Sequence, residues 1–248
     1  SDINMPHMNG LEMVEQIRQI DENVKIAIFT DFEKRDILLK AIELGVNQFL
    51  SKPFEAKSFS KAIQTLHSEV VEKRRINREI ERQQNILHSI NKMSHSFLQQ
   101  SDWMEALQQE MSNLKKASKM SSIFIYKNQQ DNDSLLAYQL LYINDNSEAK
   151  SKKCINYRNH YLMRWKNRLE KNLPINGSRK DYDKAKKKLL DLFKINSLLI
   201  LPIFVKNEWW GFLGIGDEHE ETLTSTNVEM LGTAASIIGS AINNRNNL

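Results

Sequence analysis

Apolar residues recur at helical spacing twice near the start of the chain, at Leu11, Val14 and Ile17 and again at Ile37, Leu38, Ala41, Ile42 and Leu44. Around them stand two short apolar runs, residues 25–30 and 48–51, that read as strands. Each strand is followed by a helix, and this alternation predicts a parallel, doubly wound α/β sheet. Reactive groups in such sheets gather at the carboxyl ends of the strands. Thr30 ends the first of these runs and Lys52 follows the second.

From Ala56 the pattern turns helical, and neither Gly nor Pro occurs before Pro174. The charged, polar run 67–100 carries no strand signal and reads as one long helix. On it Ile76, Ile80, Gln83, Leu87, Ile90, Ser94 and Phe97 step by four and three, the spacing of a left-handed coiled-coil seam with two polar positions. Polar seam positions fix register at a cost in stability, which suits a helix that rearranges. The other reading of the stripe is an amphipathic helix packed on its own domain.

A second domain is expected from residue 101, where Ser101 can cap a helix through Leu107, Met111 and Leu114. Strand-like runs follow at 122–126, 135–143, 197–205 and 209–215. Thr226 and Glu229 have capping-box spacing and begin a final helix with Val228, Leu231, Ala235, Ile238 and Ile242 on one stripe. Helix, strands, insertion, strands, helix is an α+β layout. Gly232, Ala235 and Gly239 let the last helix approach a neighbour closely, either its own sheet or a second copy.

A length of 248 residues allows one or two domains, and 40% hydrophobic with 27% charged is ordinary for a globular chain. Cys154 is the only cysteine, so no internal disulfide can form and a reducing compartment is expected. No run approaches the roughly 18 to 20 apolar residues that cross a bilayer, and no signal-peptide pattern is present. A cytoplasmic location without a membrane partner is therefore expected. Ser1 opens the chain within a motif and Leu248 closes it on a helical pattern, so both ends are expected to continue. Charge is uneven: residues 150–194 hold 15 Lys plus Arg against 4 Asp plus Glu, a local +11 that leaves −7 elsewhere. Such a belt fits an anionic partner or a solvated helix face. Aromatic and Gly interleaving is missing from it, so nucleic acid is not the expected partner.

Asp2-Ile3-Asn4-Met5-Pro6, Gly10 just before a helix, Thr30 at one strand end and Lys52-Pro53-Phe54 after the next resemble the phosphoacceptor site of bacterial two-component response-regulator receiver domains, which are CheY-like and flavodoxin-like. The first part of that domain is absent from this chain. The resemblance implies that Asp2 accepts phosphate from a sensor histidine kinase. It further implies that the Thr30 hydroxyl hydrogen-bonds the phosphoryl group, that the Lys52 ammonium pairs with it, and that the Lys52-Pro53 bond is cis. Phe49 stands where receivers often carry an aromatic that turns inward on activation; a plain core or rim aromatic is the other reading. Mg2+ in an intact receiver would be held by Asp2, the Asn4 backbone carbonyl and an acidic pair on an earlier strand that this chain lacks.

Residues 195–205 with Glu208-Trp209-Trp210-Gly211-Phe212-Leu213-Gly214-Ile215 resemble the later strand pair of a GAF domain. Arg164, Trp165, Leu169 and Leu173-Pro174-Ile175 match the helix and loop before it. GAF domains are small-molecule sensors and dimer platforms, so the resemblance leaves the ligand unknown. Cys154 is followed by Ile155 rather than His, which argues against a covalent bilin, and the cyclic-nucleotide motif is not evident. Tyr157, His160, Tyr161 and Trp165 lie in the segment that would cover a pocket, yet one histidine does not define a haem site. Asp217-Glu218-His219-Glu220-Glu221 reads as a solvated loop rather than a metal cluster, and His95 as a solvated histidine.

The expected organisation is a receiver part at 1–68, a coiled-coil signalling helix at 69–100 and a GAF domain at 101–248. The expected function is a regulatory module, homodimeric through 76–97 and the GAF helices, that controls an output beyond Leu248 such as a cyclic-di-GMP synthase, a histidine kinase or a phosphatase. No nucleophile with a base, metal constellation or Gly-rich phosphate loop follows residue 56, so this chain is not expected to be an enzyme. The alternative is a DNA-binding or enzymatic module using the basic segment 150–194.

Overall fold

A computed structural model describes residues 2–3, 5, 8–30, 35–99, 102–132, 134–145, 154–158, 162–220 and 222–245. Pro6, His7, Ser101, His160, Tyr161 and Glu221 lie outside them, as does Asn4. The chain forms two compact units, Ser1–Glu79 and Ile80–Leu248, divided inside one helix.

In the first unit, α1 (Gly10–Ile20) starts at Asn9, whose side chain accepts from the Leu11 N–H while Glu12 closes a capping box. Strands β1 (Ala27–Thr30) and β2 (Gln48–Ser51) pair in parallel, with α2 (Arg35–Glu43) between them and α3 (Ala56–Gln99) after them. Residues 25 and 26, expected in β1, precede it; the Ile26 N–H is taken by the Asn47 side chain at 3.0 Å. Ile28, Val14, Leu11, Ala41 and Val46 make the core. Arg18 ties the loops together, donating to the carbonyls of Leu44 (3.1 Å), Val24 (2.7 Å) and Gly45 (2.7 Å). The first part of α3 is held by Lys25–Glu69 and by the Lys73 amine on the Asn23 side chain.

The second unit is a six-stranded antiparallel sheet in the order β5-β4-β3-β8-β7-β6. Its strands are β3 (Ser122–Asp131), β4 (Ser134–Asn144), β5 (Cys154–Asn156), β6 (Ile175–Ser178), β7 (Ser197–Val205) and β8 (Glu208–Asp217). Alternate residues of each strand enter opposite layers, as a pleated strand requires. Ile123, Ile125, Leu199, Leu201, Leu213 and Ile215 face one cluster, and Phe124, Tyr126, Leu198, Ile200 and Phe212 face the other. The first cluster is covered by the later part of α3, by α4 (Trp103–Ser118) and by α7 (Ser225–Arg245). Over the second lie α5 (Met163–Leu169) and α6 (Lys184–Phe193). On α7 the buried face brings Gly239 so close to β7 that a Cβ there would overlap the Phe204 carbonyl oxygen.

Helix α3 is continuous over 44 residues, as the unbroken polar pattern predicts. Its apolar stripe divides, however. Ile86, Ile90 and Met93 are buried in the second unit and Phe97 packs against them, whereas Ile80 and Leu87 remain 48% and 49% exposed. Thus Ile90 and Phe97 of the expected seam face their own domain, and Ile80 and Leu87 face outward. Two caps also differ from expectation. Asp102 caps α4, accepting from the Met104 and Glu105 N–H groups. Thr224 precedes α7 and accepts from the Asn227 N–H at 3.3 Å, which places Thr226 inside the helix. The stripe expected on α7 is correct, with Leu231, Ala235, Ile238 and Ile242 buried. Strands β5 and β6 and helix α6 had no reading from sequence.

Candidate functional site

Three neighbouring strand ends build the site in the first unit. Asp2 forms a parallel bridge with Phe29, and Thr30 pairs with Ser51, so Asp2, Thr30 and Lys52 emerge side by side at carboxyl ends. Parallel pairing dictates this, because every strand must then finish on the same edge. The Lys52 amine bonds the Asp2 carboxylate directly, both side chains being about one-third exposed (36% and 34%). The Lys52 N–H donates to the Thr30 carbonyl at 3.1 Å, and the Lys52-Pro53 bond is cis. A solvent-facing carboxylate beside an ammonium and a hydroxyl residue can accept a phosphoryl group and then share its charge with the lysine.

The glycine before α1 is a positioning element. Gly10 donates its N–H to the Ile3 carbonyl at 2.9 Å, and a Cβ at Gly10 would overlap the Asp2 carbonyl oxygen. Gly10→Ala is therefore expected to cost about 1–3 kcal/mol by overpacking. Urea denaturation of the two chains measures that loss, and equal midpoints would show that the loop yields freely. Phe49 is half-buried against the first unit's core. A second aromatic group escaped the sequence reading: Phe29 stacks on Phe54 at 4.7 Å, and Phe59 of α3 lies 6.0 Å from both. Its members come from β1, the stretch between β2 and α3, and α3 itself, so no local pattern marks it.

A Mg2+ ion needs near-octahedral oxygen ligation. The described residues offer Asp2 alone, its carboxylate on Lys52, and they include no group of three or more His, Cys, Asp or Glu placed to hold a metal. The donor set among the described residues therefore does not fit the ion. The same holds for the acidic loop, where His219 faces Asp217 at 3.3 Å and Glu220 pairs with Lys180. His95 is exposed.

In the second unit, the layer beneath α5 and α6 is where a ligand chamber could form, and it is filled with rings. Phe124 stacks on Phe193 at 5.0 Å, and Tyr126 on Phe212 at 5.1 Å. Between Phe124, Trp165, Leu169, Phe193, Leu198 and Phe212 remains a cavity of about 20 Å³, room for about one water molecule but with an apolar lining. Tyr157 is buried, donates to the Asn128 side-chain oxygen at 2.8 Å, and has its phenol pushed far above the usual range by burial and, secondarily, by Glu170. The Tyr182 phenol, edge-on to Trp165, is pushed up to about 12 mainly by burial, with Asp181 adding. Cys154 is half-buried. Among the described residues no helix is long and apolar enough to cross a membrane.

Comparison with known proteins follows the same division. Residues 1–64 match the response regulator receiver domain, and residues 102–242 match the GAF domain. Over 62 residues the chain is 34% identical to the chemotaxis protein CheY of Thermotoga maritima, a match covering 25% of this chain and 52% of that protein. It is 31% identical, also over 62 residues, to sporulation initiation phosphotransferase F of Bacillus subtilis, covering 25% and 50%. The chain spans about half the length of the curated relatives it matches. Among solved structures, the phycocyanobilin-bound GAF domain of a cyanobacterial phytochrome aligns with a TM-score of 0.56 at 14% identity, over 64% of this chain and 94% of that one. The free methionine-R-sulfoxide reductase of Neisseria meningitidis, in complex with its substrate, aligns at 0.51 and 17%, over 64% and 89%. At such identities the likeness is one of fold. Matching over more than half its length, the chain belongs to the GAF domain family, and it carries part of a response-regulator receiver domain ahead of the GAF domain.

Proposed function

We propose that this chain is the signalling module of a response regulator in which Asp2, within an intact receiver, takes a phosphoryl group from a sensor histidine kinase. The juxtaposition of Asp2, Thr30 and Lys52 at three adjacent strand ends carries this reading. The Asp2 carboxylate attacks phosphorus and the donor leaves; Thr30 and Lys52 then hold the new phosphoryl oxygens, and Lys52 exchanges a carboxylate partner for a more highly charged one. Phe49 and α3 are the elements that respond, with the segment 69–100 carrying the change to the GAF domain at 101–248. The module works in the cytoplasm as a homodimer, through the outward residues of α3 and the GAF helices, and governs an output such as a cyclic-di-GMP synthase or histidine kinase. In an intact receiver Mg2+ would be held by Asp2, the Asn4 backbone carbonyl and an acidic pair on an earlier strand.

Acetyl phosphate with Mg2+ tests the assignment. A protein carrying these residues in a whole receiver is expected to be labelled, and its Asp2→Asn variant to lose the label entirely. The 248-residue chain by itself is expected to stay unlabelled. Persistent labelling of Asp2→Asn would move the acceptor elsewhere.

A further inference from the structure

The outer surface of the α5–α6 layer carries charge that the fold does not neutralise. Residues 154–194 contain four carboxylates, and each is engaged locally. Glu170 pairs with Lys166 and Asp191 with Arg179, both at 2.5 Å. Asp183 pairs with Lys186, and Asp181 accepts from the Ser178 N–H at 2.7 Å. Arg164, Arg168 and Lys171 on or just after α5, and Lys184, Lys188 and Lys194 on or just after α6, are all exposed. Among the described residues none of these six makes an ion pair. Trp165 and Leu169 of α5, with Leu189, Leu190 and Phe193 of α6, point into the sheet's second cluster, so the cations occupy the opposite, outward side of one layer. Two aliphatic side chains are exposed beside them, Met163 at the start of α5 at 42% and Leu173, between α5 and β6, at 45%.

We infer that this face docks on an anionic lipid surface, with the cations at the headgroups and Met163 and Leu173 entering among them. Basic side chains around a few exposed apolar ones suit a membrane interface, where charge attracts and apolar groups anchor. A nucleic acid fits less well. Single strands need exposed rings to stack on, whereas Tyr157, Trp165 and Phe193 are buried and Tyr182 is half-buried, edge-on to Trp165. Base reading favours Arg, Asn and Gln, whereas four of the six unpaired cations are lysines, which act as point charges. The expectation of no membrane partner rested on the lack of a spanning segment, and a surface contact needs none.

Co-sedimentation of the 248-residue chain with phosphatidylcholine vesicles, with and without phosphatidylserine, tests the inference. Binding is expected to the anionic vesicles alone, and to be about tenfold weaker in high salt. Arg164→Glu/Lys184→Glu/Lys188→Glu should abolish it. Met163→Ser/Leu173→Ser should weaken it about tenfold at unchanged charge. Circular dichroism of both variants should match that of the parent, because every changed position is exposed. Equal binding to neutral vesicles, or none to anionic ones at low salt, would overturn the inference. Unweakened binding by the serine variant, together with displacement of the vesicles by random duplex DNA, would also overturn it and assign the face to nucleic acid.

Discussion

Phe193→Ala is expected to destabilise the chain by about 3–5 kcal/mol. Phe193 is 1% exposed, ends α6, and stacks on Phe124 with an interplanar angle of 7°. Truncation removes the ring that closes the second cluster, and the sheet beneath cannot move in to refill the space. The loss should lower the melting temperature by roughly 10 °C for a domain of this size. The enlarged space would be apolar on all sides, so it should stay dry and accept benzene, which would recover part of the melting temperature. Leu192, half-buried beside it and outside that cluster, provides the comparison: Leu192→Ala should cost far less. Equal losses at 192 and 193 would show that stacked rings do not fix this layer.

A second large effect is expected in solution. Light scattering should show a dimer for the parent chain and a monomer for Ile80→Asp/Leu87→Asp, because two buried carboxylates at a seam would have no partners. Both positions are about half exposed, so the variant should keep its fold. Ile86→Asp is the contrasting change. Ile86 is fully buried in the second unit's core, and a carboxylate there should unfold that unit rather than separate chains. A dimer that survives Ile80→Asp/Leu87→Asp would place the interface away from this stripe.

The elements legible from sequence were those whose periodicity is clean. Strands β2 and β7 begin and end where their apolar runs do, while the three site residues of the first unit are legible through their resemblance to a receiver's phosphoacceptor site. The α3 stripe was ambiguous for a physical reason. Apolar residues occupy two overlapping four-three tracks, one through Ile80 and Leu87 and one through Ile86 and Met93, and Ile90 and Phe97 suit either until the partner surface is known. Helix α6 was hidden because lysines fill its outer positions at 184 and 186–188, leaving a short inward stripe of Leu189, Leu190 and Phe193. Strand β5 has three residues, too few to show alternation. The caps at Asp102 and Thr224 each had a competing hydroxyl one or two residues away, at Ser101 and Thr226. The filled chamber depends on rings from β3, β8, α5 and α6 meeting in space, and no window of sequence contains them together.

At Gly239 backbone meets backbone without side chains between, since the Phe204 carbonyl oxygen occupies the place of a Cβ. Side chains between packed elements act as springs, turning over rotamers to accommodate a shift; here there is no spring. Helix α7 and strand β7 must therefore travel as one body wherever either is pushed. Elsewhere in the same cluster α3 and α4 contribute deformable methionines, Met93 and Met111. A displacement of α3 or α4 against the sheet would meet side chains that can repack, whereas at Gly239 the α7–β7 contact offers none.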